Sequence, residues 1–356
     1  MTFRDQEKLR YSDIKKALFG DASLRLGTYL GRPRSFCLDD DYSAENLYDG
    51  IRDEAVRYFT ERRIPWHDGL NGRRLPSNHL CCSQSCCVNF LFPMASEPRL
   101  LERVFRHVFP NLREVLPILG DGVSGEEPRR YLGFEWIGTR DYLGEHIGKR
   151  GTRTRGANYT SADFVFRFLE QDGKIHLVLG EWKYTEEAGT TQYGAQQGAE
   201  DRKPEVRRRT YWSAFSRGGG TFSVKDKDKE LYDALFFGPF YQFMRLQLLA
   251  QEMVMGDHGR EMDADVASVL WVCPEANKEF RRPRALPPYL AQGSSGKETF
   301  AVWRELIGNG QFQVMATEAL LDILAADAKL GPDPVSRWVS YLSARYEWGS
   351  VGRQPD

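Results

Sequence analysis

The sequence predicts an α/β protein, a central mixed β-sheet flanked by helices, with extra helices towards the N- and C-terminal ends. Three observations carry that expectation. Residues 163–169 and 175–184 are apolar runs with period two, parted by the turn signal Gln171-Asp172-Gly173. Residues 131–137 and 266–273 are further short runs rich in aromatic and branched side chains, the second ended by Pro274. Residues 239–255 show a helix pattern apolar nearly all round, with Pro239 at the start and Gly256 at the end. Such a helix packs against a sheet.

The hairpin is the informative element. Phe164, Phe166 and Phe168 alternate with Val165, Arg167 and Leu169, and Ile175, Leu177 and Leu179 alternate with Val178 and Trp182. A two-residue loop would set Asp163 opposite Trp182. A three-residue loop with Gly173 in the left-handed conformation pairs Glu170 with Lys174 and sets Asp163 opposite Glu181. A slip of one residue exchanges the faces of every side chain, so the register decides the chemistry. In the three-residue register Asp163, Glu181 and Lys183 share a face, with roughly 5 Å between the Cβ atoms of the facing acids. Two such carboxylates repel unless a proton or a cation joins them. A hard divalent metal held by one or two carboxylates is one solution, and a buried ion-pair triad without chemistry is the other.

Composition bounds the rest. The chain has 356 residues, 41% hydrophobic and 13% aromatic, which describes a folded globular protein and excludes a disordered one. A formal net charge of −1 means that any nucleic-acid surface must come from local clusters. No apolar run reaches membrane-spanning length, and the first residues are charged without an apolar centre, so a cytoplasmic location and no membrane contact are expected. The six cysteines then read as reduced thiols. Cys81, Cys82, Cys86 and Cys87 do not have the spacing of a structural zinc site and are expected as buried small hydrophobes.

In chain order, residues 1–41 are polar and mixed and give no clear pattern. A helix is expected from Ala44 to about Arg63 with Ser43 as its cap, then a loop over 66–78. A helix over 80–92 carries Gln84, and a second, capped by Ser96, has Pro98 in its first turn. Glu135, alone in the 131–137 strand, needs a partner there. Lys149, Arg150, Arg153 and Arg155 precede the hairpin in a Gly/Thr-rich segment suited to phosphate contacts, and Arg207, Arg208 and Arg209 form a second basic cluster on a helix over 204–215. A long loop is expected over 187–203. The last part is expected as helices over 300–307, 318–326 and 334–346. Together these give a single domain over 42–348 with its core at about 80–274 and a loose tail, 349–356.

Asp163 on one strand and Glu181-Trp182-Lys183 on the next resemble the D…(D/E)xK signature of the PD-(D/E)XK nuclease superfamily. Thr160-Ser161-Ala162-Asp163 with Glu181-Trp182-Lys183-Tyr184-Thr185-Glu186 is similar to a run in bacterial restriction-endonuclease-like proteins. The likeness extends from about Ser83 to about Pro274, with Ala162 where the motif's name has Pro. The resemblance implies a restriction-endonuclease-like core and metal-dependent endonucleolytic hydrolysis of DNA phosphodiesters in restriction or anti-phage defence. It implies Asp163, Glu181 and Lys183 as catalytic residues. Mg²⁺, with Mn²⁺ as a substitute, would be bound by Asp163, Glu181 and the Trp182 carbonyl. Glu135 and Gln84 are additional site candidates. Arg245 is another, reaching either the phosphate or a neighbouring carboxylate. Expected partners are DNA and either a second copy or a protein that supplies targeting. A module of this fold that binds nucleic acid or a partner without cutting is the alternative, and a small phosphodiester is an alternative substrate.

Overall fold

The computed structural model describes residues 1–121, 129–146, 150–156, 159–189, 193, 203–217, 220–222, 228–282, 286–291, 297–307, 311–328, 333–346 and 348. A short hairpin of β1 (Gly27–Tyr29) and β2 (Arg32–Arg34) stands apart from the main sheet. That sheet has six strands: β3 (Leu112–Leu116), β4 (Leu132–Trp136), β5 (Ala162–Glu170), β6 (Ile175–Trp182), β7 (Val266–Cys273) and β8 (Phe312–Ala316). One edge of the long β5 is shared end to end, with β3 antiparallel to its second half and β4 antiparallel to its first. Its other edge takes β6, antiparallel, after which β7 and β8 continue in parallel. The sheet is therefore mixed, as the sequence pattern predicts.

The alternation seen in the sequence sorts side chains into two cores. Phe164, Phe166 and Phe168 of β5, Val178 of β6 and Leu270 and Val272 of β7 join one, with the helices Ser83–Leu91, Pro98–Phe105, Thr317–Ala328 and Asp333–Tyr346. Val165, Leu177, Leu179, Val269 and Trp271 join the other, with the helices Lys203–Phe215, Phe240–Met255 and Thr299–Leu306. The Phe240–Met255 helix buries Phe243 edge-on against Trp271, ring centroids 4.3 Å apart. Phe105 stacks on Phe166 at 4.4 Å on the opposite side. Both faces of β5 to β7 are thus covered, which is why these strands read as nearly continuous apolar runs.

The turn has the three-residue register. Glu170 N–H donates to the Lys174 carbonyl at 2.8 Å and Gly173 has φ +90°. Ladder pairs run from Leu169–Ile175 to Phe164–Gly180.

Several local expectations are corrected. Residues 3–19 are a helix and not featureless chain; its buried positions are Phe3, Glu7, Tyr11 and Lys15, a four-residue repeat in which charged side chains hide the apolar period. Ser43 does not cap a helix: it is buried within a 3₁₀ stretch, Asp40–Asn46, and the α-helix starts at Arg52. Glu97, not Ser96, precedes the helix begun by Pro98. β3 and β8, short strands with partly exposed positions, lack the alternation that announces the central ones. Most of the 187–203 loop and the tail after 348 lie outside the described residues.

Candidate active site

At the end of the sheet away from the turn, β4, β5 and β6 bring three acids into line. Phe134 pairs with Phe164 and Trp136 with Ala162, so Glu135 lies opposite Asp163. Continuing the β5–β6 register one residue past Phe164–Gly180 sets Asp163 opposite Glu181. Here the ladder ends. Lys183 N–H donates to the Val272 carbonyl of β7 at 2.8 Å, so the alternation of the strand turns the Trp182 peptide groups towards β5. The Trp182 N–H is taken by the Asp163 Oδ2 at 2.7 Å, and the Trp182 carbonyl lies on the same side. Lys183 Nζ reaches back to Glu181 Oε1 at 2.7 Å.

Glu135 is held from two directions. Gln84, on the Ser83–Leu91 helix, donates from Nε2 to Glu135 Oε1 at 2.6 Å and accepts the His67 N–H at 2.7 Å with its own oxygen. Ser161 Oγ donates to Glu135 Oε2 at 3.1 Å. Glu135 also has φ +50°, a left-handed conformation that costs a non-glycine residue of order 1–3 kcal/mol. The strand is bent there without losing register on either side. Gly156 makes room, since a Cβ on it would lie 3.1 Å from Glu135 Oε2.

The electrostatics are those of crowded acids. Burial, then Glu181 and Glu135, push the Asp163 carboxyl well above the usual carboxylate range, with Lys183 opposing. Burial raises Glu135 to about 7, against the hydrogen bonds from Gln84 and Ser161. Burial disfavours the charged form of Lys183, but Glu181, Glu186 and Asp163 together hold it protonated, above the usual lysine range. Asp163 and Glu181 are only half-buried, so the site is open to solvent. Among the described residues no three His, Cys, Asp or Glu side chains close around one point as a finished ligand shell.

The other expected site residues separate into two kinds. Arg155 is turned inward, paired with Asp121 at 2.6 Å and lying over the Trp136 ring. Arg153 donates to the Ile137 and Gly138 carbonyls. Arg208 pairs with Asp233 at 2.7 Å, and Arg207 donates to the Tyr193 carbonyl at 2.9 Å. Arg150 and Arg209 are exposed; Lys149 lies outside the described residues. Arg245 reaches Glu145 at 3.4 Å and Thr160 Oγ1 at 2.9 Å. Ser161, which no sequence signal marks beyond sharing the parity of Asp163 two residues on, is a further site residue through its hydrogen bond to Glu135. Cys81, Cys86 and Cys87 are buried free thiols in the first core, and burial raises all three.

The family model described as "restriction endonuclease associating with ARP" matches residues 4–347. The chain belongs to that family. No curated protein and no solved structure matches it. For a member of this restriction-endonuclease family, a nuclease-like role and a nucleic-acid substrate follow, and the mixed sheet flanked by helices agrees with a restriction-endonuclease-like core. Among the described residues, no helix of this family member is long and apolar enough to cross a membrane.

Proposed function

We propose that the chain is a Mg²⁺-dependent endodeoxyribonuclease of the PD-(D/E)XK plan, hydrolysing DNA phosphodiesters in restriction or anti-phage defence in the cytoplasm. The row Glu135–Asp163–Glu181 carries this reading, because its excess negative charge lies beside one lysine at an opening to solvent. The donor set fits a hard divalent cation. All the donors are oxygens, and Mg²⁺ keeps several waters and needs only one or two carboxylates. Asp163, Glu181 and the Trp182 carbonyl would hold Mg²⁺, or Mn²⁺ in its place, with Glu135 as a further oxygen donor. Bound there, the metal would polarise a phosphate oxygen and lower the pKa of its water. Lys183 steadies that water and places positive charge beside the phosphate as charge develops on it. Gln84 and Ser161 fix Glu135. Arg150 and Arg209, the exposed members of the two basic clusters, take phosphates of the DNA backbone. The family's description names an association with ARP, which supports a protein partner that supplies targeting.

Nicking of supercoiled plasmid by purified protein tests the reading. Activity is expected with Mg²⁺ or Mn²⁺ and not with EDTA. Lys183→Ala is expected to lose at least about 10²-fold while circular dichroism is unchanged. A fully active Lys183→Ala protein removes the mechanism. Wild-type protein that binds DNA but never cuts it in either metal is the non-cleaving module instead.

A further inference from the structure

Beside Glu145, a cleft of about 600 Å³ is lined by Tyr193, Arg207, Arg209, Tyr211, Tyr241 and Arg245. Its size is in the range of small-ligand sites, and aromatic and cationic side chains dominate its walls, with Leu143 and Val206 as the aliphatic members. The rings of Tyr193 and Tyr241 stack with centroids 4.7 Å apart. The Arg207 guanidinium lies 5.9 Å from each of them, and that of Arg245 lies 5.4 Å from Tyr241. One acid, Glu145, also lines the cleft, and it is saturated. It accepts Thr160 N–H at 2.7 Å, Thr160 Oγ1 at 2.8 Å and Tyr211 Oη at 2.6 Å, and pairs with Arg245. Three arginines against one occupied glutamate leave the cleft positive. Arg209 is exposed and makes no ion pair among the described residues.

Place matters as much as chemistry. Arg245 donates to Thr160 Oγ1, and Thr160 stands three residues ahead of Asp163 on the run into β5. Extended chain covers that separation in roughly 10 Å. A strand whose phosphate lies at the acids therefore brings a neighbouring nucleotide to the cleft.

We propose that this cleft holds one unpaired nucleotide of an opened or single-stranded DNA, its base on the tyrosine stack and its phosphate on Arg209 and Arg245. The proposal rests on the DNA-cutting reading above and names the form of DNA that the site takes. A base inside a duplex cannot present its face to such a stack, whereas an unpaired one stacks on aromatic rings irrespective of sequence.

Fluorescence anisotropy of the full chain in EDTA, with a labelled oligothymidylate and with a duplex of equal length, tests it. Tyr193→Ala is expected to weaken oligothymidylate binding by about tenfold and to change duplex binding by less than about twofold. Tyr193→Phe, which keeps the ring, restores the affinity and controls for folding. Arg209→Ala lowers the salt slope of oligothymidylate binding by about one. Oligothymidylate affinity untouched by Tyr193→Ala, or falling equally with the duplex, overturns the cleft. If Asp163→Asn abolishes nicking in that same case, the nuclease reading stands without it. If Tyr193→Ala selectively weakens oligothymidylate binding while wild-type protein nicks nothing in Mg²⁺ or Mn²⁺, the cleft stands and the nuclease reading falls.

Discussion

Asp163 faces a carboxylate on each neighbouring strand, Glu135 on β4 and Glu181 on β6, with Lys183 as the nearby cation. Burial and those neighbours favour its protonated form, and Glu135 is raised to about 7 by burial. The sign for stability follows. A carboxyl whose folded pKa exceeds its unfolded value binds its proton more tightly in the native state. Metal-free protein is therefore expected to lose stability as pH rises from the unfolded value, about 4, through about 7. Asp163→Asn removes one of the repelling charges. At pH 8 without metal it should melt a few degrees above wild type, and it should flatten the pH dependence while abolishing nicking. Mg²⁺ should raise the wild-type melting temperature more at pH 8 than at pH 5, because binding displaces protons, and should leave Asp163→Asn nearly unmoved. Thermal melts across pH, with and without Mg²⁺, check this. An Asp163→Asn protein less stable than wild type at pH 8 would show that the carboxylate is already compensated in the fold. Lys183 does not enter this window, since its raised pKa keeps it charged throughout.

The hairpin shows at the scale of an element what sequence can and cannot disclose. Its register was legible because one glycine decides it. Gly173 has φ +90° with nothing near the position of a Cβ, so Gly173→Ala should cost about 1–2 kcal/mol, all of it backbone strain. Gly180 is a different case: it faces Phe164, and a Cβ there would overlap the Phe164 ring. Gly180→Ala should cost roughly 1–3 kcal/mol or more by overpacking. Urea unfolding of both variants checks the order, which reverses if the turn and not the Phe164 contact is the tighter constraint. Two polar crossties span the sheet at its opposite ends, one across β5, β6 and β7 and the other across β4, β5 and β6. At the turn end, His176 lies between Glu170 Oε1 at 2.6 Å and Ser268 Oγ at 2.8 Å, the order of a nucleophile triad. Ser268 is 0% exposed, so that tie is sealed and its hydrogen bonds are closed among themselves. At the other end Asp163 and Glu181 are half-buried, and Lys183 stands as the cation beside three acids. The sequence displays both sets with equal plainness, and only burial separates scaffold from candidate site. Glu135 was legible as a lone acid in a strand. Its left-handed backbone and its hold by Gln84 were not, because they depend on a helix some fifty residues earlier in the chain.

At the scale of the whole molecule, the two ends of the chain close around the strand that leaves the candidate site. Tyr184, the residue after Lys183, is buried and its hydroxyl meets Glu7 and, at 3.1 Å, Tyr11 on the Phe3–Phe19 helix. Trp348 Nε1 donates to the same Glu7 at 2.8 Å, and Tyr11 Oη and Arg10 both donate to the Arg345 carbonyl. The family match, 4–347, takes in this brace at both ends. None of it was legible beforehand, because Glu7 and Lys15 occupy the buried stripe of a helix that otherwise reads as surface. The brace has a measurable consequence. Glu7 is a buried carboxylate whose partners come from three places, the first helix, the exit of β6 and the C-terminal end, so truncating one partner leaves the others under-satisfied. Tyr184→Phe and Glu7→Gln should each destabilise by about 1–3 kcal/mol. Because one removes and the other weakens the same charge-assisted hydrogen bond, the double variant should cost less than their sum by about 1 kcal/mol in a double-mutant cycle read by urea unfolding. Additive losses would mean that the first helix merely covers Tyr184. A coupled loss, with plasmid nicking falling in the Tyr184→Phe protein, would mean that the chain ends hold Lys183 where the acids need it.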